Sequence, residues 1–357
     1  FYIKSTNSGK NQFKSAIDNN IMKTYETIIE VPSNGSYKFM FGLEREPYDE
    51  MLNTPYNIFI DNVRFEINNK IGDDPMGPEN PDKPIQKGDW TLVWSDEFDG
   101  TGENLNENGV DLSKWGFQEG TGEQYGLIGW GNNEQQYYCQ DNVFVEDGKL
   151  IIEARKESFG GMDYTSGRLC TANTFTKKYG RFEARIKLPA CQGFWPAFWL
   201  LPAKSVYGGW AASGEIDIME ARGRIPNEVS GAIHYGGSWP NNTHNGGKYV
   251  FPEGQDISDF HEYAIEWEPG EIRWYVDGEL YLTLNNWYSQ GEGQAAKYPF
   301  PAPFDQEFYI ILNLAVGGNF DAGRVPPDDI FPARMEVEYV RVYELTGRPY
   351  KKVTDTF

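Results

Sequence analysis

From Trp90 to about Leu345 one signal recurs roughly every 8–14 residues: a short run rich in β-branched and aromatic side chains, closed by turn residues. Examples are "TLVWSDEF" (91–98), "KLIIEARK" (149–156), "GRFEARIKLP" (180–189), "GEIDIMEA" (214–221), "HEYAIEWEP" (261–269), "EIRWYVDGEL" (271–280), "FYIILNLAV" (308–316) and "MEVEYVRVYEL" (335–345). No 3.6-residue period persists beyond a turn or two, so helices cannot carry the core. Asp277-Gly278 and Glu146-Asp147-Gly148 read as hairpin turns. The expectation is an all-β fold: two stacked antiparallel sheets in a jelly-roll-like sandwich of roughly 255 residues.

The flanks read differently. Residues 1–67 hold short alternating runs, "TYETIIEVP" (24–32), "GSYKFMFGL" (35–43) and "YNIFIDNVRFEI" (56–67), which predict a small β domain. That stretch is short for a sandwich of about 100 residues. Residues 68–89 carry four prolines and almost nothing apolar, an extended linker. The sandwich is assigned to 90–346, and 347–357 to a frayed tail. The chain opens at Phe1 with no leader pattern and reads as a processed or truncated product.

Charge removes several function classes. Lys+Arg total 32 against 53 Asp+Glu, a net charge of −21. Such a chain repels phosphate backbones, and polyanionic polysaccharides are disfavoured for the same reason. No run of 18 apolar residues exists to cross a membrane as a helix. The three cysteines, Cys139, Cys170 and Cys191, form no CxxC, and the three histidines no HxxxH, so no zinc site is expected. An odd cysteine count leaves at least one outside any intramolecular pair.

The most informative segment is Glu215-Ile-Asp217-Ile-Met-Glu220. Strand alternation puts Glu215 and Asp217 on one face and Ile216 and Ile218 on the other. Glu220 is five residues from Glu215, an odd spacing that points it to the wrong face. A one-residue β-bulge near Ile218-Met219 restores it. Four strand intervals then span about 13 Å. Two glutamates leaning together, ~4 Å each, bring their carboxyls to roughly 5 Å. A retaining glycosidase needs about 5–5.5 Å between nucleophile and acid/base, whereas an inverting one needs about 6.5–9.5 Å. One Glu must be ionised and the other protonated, and Asp217 between them raises a neighbour's pKa. A solvated acidic strand face is the plainer alternative, but like charges crowded between buried apolar residues cost stability without a function.

Aromatic residues surround this segment. Trp195, Trp199 and Trp210 present π faces that suit the C–H side of a pyranose, or else fill the core. Trp195 and Trp199 share a face on a regular strand, although Pro196 argues for irregularity there. Asn132, Asn133 and Glu134 either bond sugar hydroxyls or form only a turn. His234 lies about one hairpin onward, facing the carboxylates or serving a structural role.

These blocks resemble glycoside hydrolase family 16, in its bacterial laminarinase (endo-β-1,3-glucanase) branch. The match runs in order through "LVWSDEFDG", "WGNNEQQYY", "YGRFEARIKLP", "GFWPAFWLLP", "GGWAASGEIDIME", "HEYAIEWEP", "IRWYVDG", "ILNLAVGG" and "VEYVRVYE". The resemblance implies a jelly roll with a cleft across one face and retaining chemistry. It implies Glu215 as nucleophile, Glu220 as acid/base and Asp217 as the assisting carboxylate. It places Asn133, Trp195, Trp199, Trp210, His234 and Arg168 around the substrate. It also implies a structural calcium at Glu97, Gly148 and Glu338, with Glu at the last position where relatives carry Asp, and no catalytic cofactor. The 1–67 segment resembles the closing strands of a carbohydrate-binding module.

The functional expectation is therefore an endo-glycosidase acting on β-1,3 or mixed β-1,3/1,4 glucans, secreted or cell-surface anchored, with a monomer assumed. The alternatives are an agarase- or porphyranase-type galactanase on the same fold, a non-catalytic β-glucan-binding protein, and transglycosylation in place of hydrolysis.

Overall fold

The computed structural model describes residues 85–353 together with two short strands near the start, Tyr2–Lys4 and Asn11–Lys14. The chain divides into two compact units, Phe1–Asp74 and Pro75–Phe357. In the first, Tyr2–Lys4 pairs antiparallel with Asn11–Lys14. The three runs expected between residues 24 and 67 lie outside the described residues.

The second unit is a two-sheet sandwich. One sheet has seven strands, in the order Asn242–Val250, Glu228–Gly236, Glu215–Glu220, Phe194–Pro202, Phe308–Val316, Arg168–Cys170 and Gly116–Phe117. The other runs Glu279–Leu284, Glu271–Val276, His261–Glu268, Gly180–Lys187, Ala333–Leu345, Lys149–Ala154 and Val143–Glu146, with Trp90–Asp96 also paired to Ala333–Leu345. Every pairing within these two sheets is antiparallel. The two expected hairpin turns are present. Asp147-Gly148 and Asp277-Gly278 each have both residues at positive φ (51° and 71°, 51° and 80°), which suits the right-handed twist of the strands they join.

Period-two alternation fills the space between the sheets. Phe182, Ala184 and Ile186 of one sheet meet Phe194, Phe198 and Leu200 of the other, all at 0 % exposure. Trp267 and Trp274 are also fully buried, so much of the aromatic content is core. Pro196 does not break its strand: Phe194–Pro202 keeps unbroken register with Phe308–Val316, and Trp195 and Trp199 stand on the same face. The tail is also better anchored than expected. Arg348 is 4 % exposed and forms a two-pronged ion pair with the fully buried Glu268 (2.7 and 2.9 Å), because a carboxylate at 0 % exposure needs a partner. All three cysteines are free thiols.

Candidate active site

The outward face of the seven-stranded sheet gathers the acidic segment. Glu215–Glu220 pairs Asp217 with Trp199 on one neighbour and with Ala232 on the other. Glu220 then pairs with Ala197 and with Ser230, so one extra residue is inserted between Asp217 and Glu220 on both sides. This is the expected bulge. It lets Ile218 and Met219 both face the core, at 2 % and 0 % exposure, and returns Glu220 to the face of Glu215. Across the core, Trp274 Nε1 donates to the Asp217 carbonyl (2.8 Å), tying the bulge to the opposite sheet.

Each glutamate is held by a tryptophan. Trp210 Nε1 donates to Glu215 Oε2 and Trp195 Nε1 to Glu220 Oε1, both at 2.9 Å. Trp195 is stacked on Phe320 (5.0 Å), and Trp210 lies against the ring of His234 (5.5 Å). His234, paired with Glu215 in register, places Nε2 3.3 Å from Asp217 Oδ2 and 3.7 Å from Glu215 Oε1. His244 stacks on the His234 ring at 5.5 Å.

The two glutamates share their electrostatics, and both carboxyls are raised to about 8. Burial pushes both carboxyls up, and the Asp217 charge pushes them further. Glu215 is pulled back by the His234 charge and by the Trp210 N–H. Glu220 is pulled back by the Trp195 N–H and, as the last of its influences, by the same His234 charge. Burial lowers the His234 imidazolium, but the Asp217 contact and the surrounding carboxylates outweigh it and hold the group at about 9. Two glutamates on a common face, both raised by burial and by a shared neighbour, have the chemistry to divide the roles of acid and nucleophile between them.

Trp199 stands beside the pair with its Nε1 donating to Asn313 Oδ1 (2.7 Å). The Arg168 guanidinium lies 4.9 Å from the Trp199 ring and 4.4 Å from the Trp130 ring. Arg168 therefore supports an aromatic platform and is itself buried, at 6 % exposure. Asn133 is exposed, at φ 55°, with its amide on Asn319 and no bond to the carboxylates. Glu134 does not reach for sugar. It turns inward, at 6 % exposure, and accepts from Gln136, Tyr138 and Asn132. The alternation Glu134, Gln136, Tyr138 carries that inward face in the sequence. Trp239 is 72 % exposed, and its backbone N–H donates to the Trp210 carbonyl (2.6 Å). Nothing in the sequence singled out Trp239, Asn313 or His244.

The residues assigned to calcium do not fit it. Both Glu97 oxygens accept from Arg341 (2.9 and 2.7 Å), and Glu338 is paired with Arg185. Gly148 is the second residue of a hairpin turn. Calcium takes six to eight oxygens, and two carboxylates already closed on guanidinium groups do not offer them.

Residues 131–322 match the family described as Glycosyl hydrolases family 16. The chain is 49 % identical over 267 residues to Glucan endo-1,3-beta-glucosidase A1 of Niallia circulans, covering 71 % of this chain and 38 % of that protein. It is 41 % identical over 286 residues to the Beta-glucanase of Rhodothermus marinus, covering 78 % of this chain and 93 % of that one. Among solved structures, the laminarinase catalytic domain of Thermotoga maritima MSB8 superposes with a TM-score of 0.60 at 40 % identity, over 71 % of this chain and 98 % of that chain. With the paired glutamates on the bulged strand, these likenesses identify the chain: it belongs to family 16 of the glycosyl hydrolases.

Proposed function

We propose that the chain is a retaining endo-glycosidase that cleaves β-1,3 or mixed β-1,3/1,4 glucans by double displacement. The observation that carries this reading is the bulge, which sets Glu215 and Glu220 on one face, each held by an indole N–H. In the first step a Glu215 oxygen bonds to the anomeric carbon as the glycosidic C–O bond breaks, and Glu220 gives its proton to the departing oxygen. In the second a water attacks the same carbon, passes a proton to Glu220 and frees Glu215. Asp217 and His234 balance charge beside the nucleophile. The chemistry draws on side chains and water and uses no cofactor.

The substrate reading is supported by the names of the relatives and by the −21 charge, which favours an uncharged polymer over a sulfated one. A polymeric glucan substrate, too large to cross a membrane unaided, supports the reading of an enzyme that works outside the cell or on its surface. Reducing-sugar release from laminarin, barley β-glucan and agar, with the oligosaccharide products compared, tests it. Turnover only on agar would favour the galactanase alternative. Glucan binding with no turnover at any pH would favour the binding-protein alternative, against which the presence of both glutamates already argues.

A further inference from the structure

Trp199 presents a ring to the cleft, and stacking on a sugar depends on the plane of that ring. Two contacts fix the plane: the Arg168 guanidinium over the ring and the bond from Nε1 to Asn313 Oδ1. An indole N–H only donates, so it needs the oxygen of the Asn313 amide and is repelled by the NH2. The amide is 5 % exposed, and what lies on its other side decides which way it points.

That neighbour is the Tyr138 hydroxyl, which accepts from Asn313 Nδ2 at 3.1 Å. A hydroxyl that accepts there has one hydrogen to place elsewhere, and Tyr138 gives it to Glu134 Oε2 at 3.0 Å. Gln136 also donates to Oε2 (2.8 Å), and Asn132 donates to Oε1 (3.2 Å). Both Glu134 oxygens face amide NH2 groups that can only donate, Gln136 on Oε2 and Asn132 on Oε1, so Glu134 is the acceptor for Tyr138 as well. Every hydrogen in the chain then has one direction, from Trp199 through Asn313 and Tyr138 to Glu134. Were Tyr138 to donate toward Asn313, the amide would turn its NH2 on the indole N–H.

We infer that Glu134 is a positioning residue, whose buried carboxylate sets, through Tyr138 and Asn313, the orientation of the Trp199 platform. The inference rests on the reading of Trp199 as a substrate-contacting ring in the cleft of a glycosidase. Neither Glu134 nor Tyr138 touches the reacting atoms in this assignment.

A double-mutant cycle with the full chain tests it. Phe at 199 has no N–H, so the direction of the Asn313 amide no longer matters to it. Tyr138→Phe should lower kcat/KM on the best glucan by roughly tenfold, about the effect of one net hydrogen bond. In the Trp199→Phe background the same change should cost less than twofold. Asn313→Ala enters the same cycle if Tyr138→Phe does not fold. Equal losses in both backgrounds, or a Tyr138→Phe enzyme within twofold of wild type, overturn the inference. A wild type active on agar and inactive on laminarin and barley β-glucan sinks the substrate reading alone, and the cycle then decides the relay on agar.

Discussion

Trp274 Nε1, on one sheet, donates to the backbone carbonyl of Asp217 on the other, 2.8 Å away through the core. The bond reaches the sheet at the bulge that aligns Glu220 with Glu215. Trp274 passes over Gly231 on the adjacent strand, where an added Cβ would meet the indole at 2.4 Å. The catalytic face is thus fixed partly from behind, by a glycine and an indole that no substrate touches.

Gly231→Ala is expected to push the Trp274 ring off the Asp217 carbonyl. Overpacking of this kind costs on the order of 1–3 kcal/mol, so the urea midpoint should fall. Activity should fall by more than the loss of folded protein explains, because the bulge sets the spacing of the glutamates. A Gly231→Ala enzyme with wild-type kcat would show that the bulge is held by other contacts.

Glu215→Gln should reduce kcat by on the order of 10^3-fold or more, since Glu215 is the proposed nucleophile and a neutral amide does not form the covalent intermediate. Oligosaccharide binding, read by calorimetry, should persist. Glu220→Ala should lose roughly 10^2- to 10^4-fold on polymer and far less on aryl glycosides with activated leaving groups, which need little protonation. A Glu215→Gln enzyme within tenfold of wild type would misplace the nucleophile.

The pH profile should report the environments of the two glutamates. The acid limb of kcat/KM follows ionisation of the nucleophile, and the alkaline limb follows loss of the acid's proton. His234 lowers the Glu215 pKa by its charge. In His234→Gln that pull is gone, so Glu215 ionises at higher pH and the acid limb should move up by about one unit. The alkaline limb should move less, because the His234 charge is a lesser influence on Glu220. An unmoved acid limb would mean that His234 is uncharged or that Glu215 is not the group seen.

Chelation is expected to do nothing. Arg341 holds Glu97 and lowers its pKa by hydrogen bonding, and Arg185 holds Glu338. EDTA should leave the Tm within a degree or so of the untreated protein, and added calcium should not raise it. A fall of several degrees with EDTA, reversed by calcium, would restore the expectation drawn from the family resemblance.

The sandwich and the bulge were legible because both follow from period-two patterning. Ile216 and Ile218 declare the inward face, and the odd spacing of Glu220 is impossible on a regular strand that keeps all three carboxylates together. The Trp195 and Trp210 contacts with the glutamates were legible only as proximity, since sequence carries no side-chain direction across strands. Asn313 was hidden inside "FYIILNLAV", where it reads as one polar interruption of a core strand. Its role depends on Trp199 and Tyr138, 114 and 175 residues away in the chain. The ion pairs that close Glu97 and Glu338 were not legible, because Arg341 and Arg185 sit on neighbouring strands whose register the sequence does not print.

The acid pair should also weaken the fold where it is ionised. The Glu215 carboxyl is raised above its ordinary value of 4.5, first by burial and then by Asp217. As pH rises from 4.5, the unfolded chain releases that proton first and the folded chain holds it. The unfolded state is therefore favoured progressively across the window from 4.5 up to the raised value. Below 4.5 the proton is bound in both states and the cost vanishes. Glu215→Gln removes the ionisation while keeping the shape and an acceptor for Trp210 Nε1. Its Tm should match wild type near pH 4 and exceed it by a few degrees at pH 8. Tm measured for both proteins across that range decides the matter. A difference that shrinks as pH rises would mean that His234 and Trp210 more than offset the burial of the charge, and that Glu215 ionises below its ordinary value.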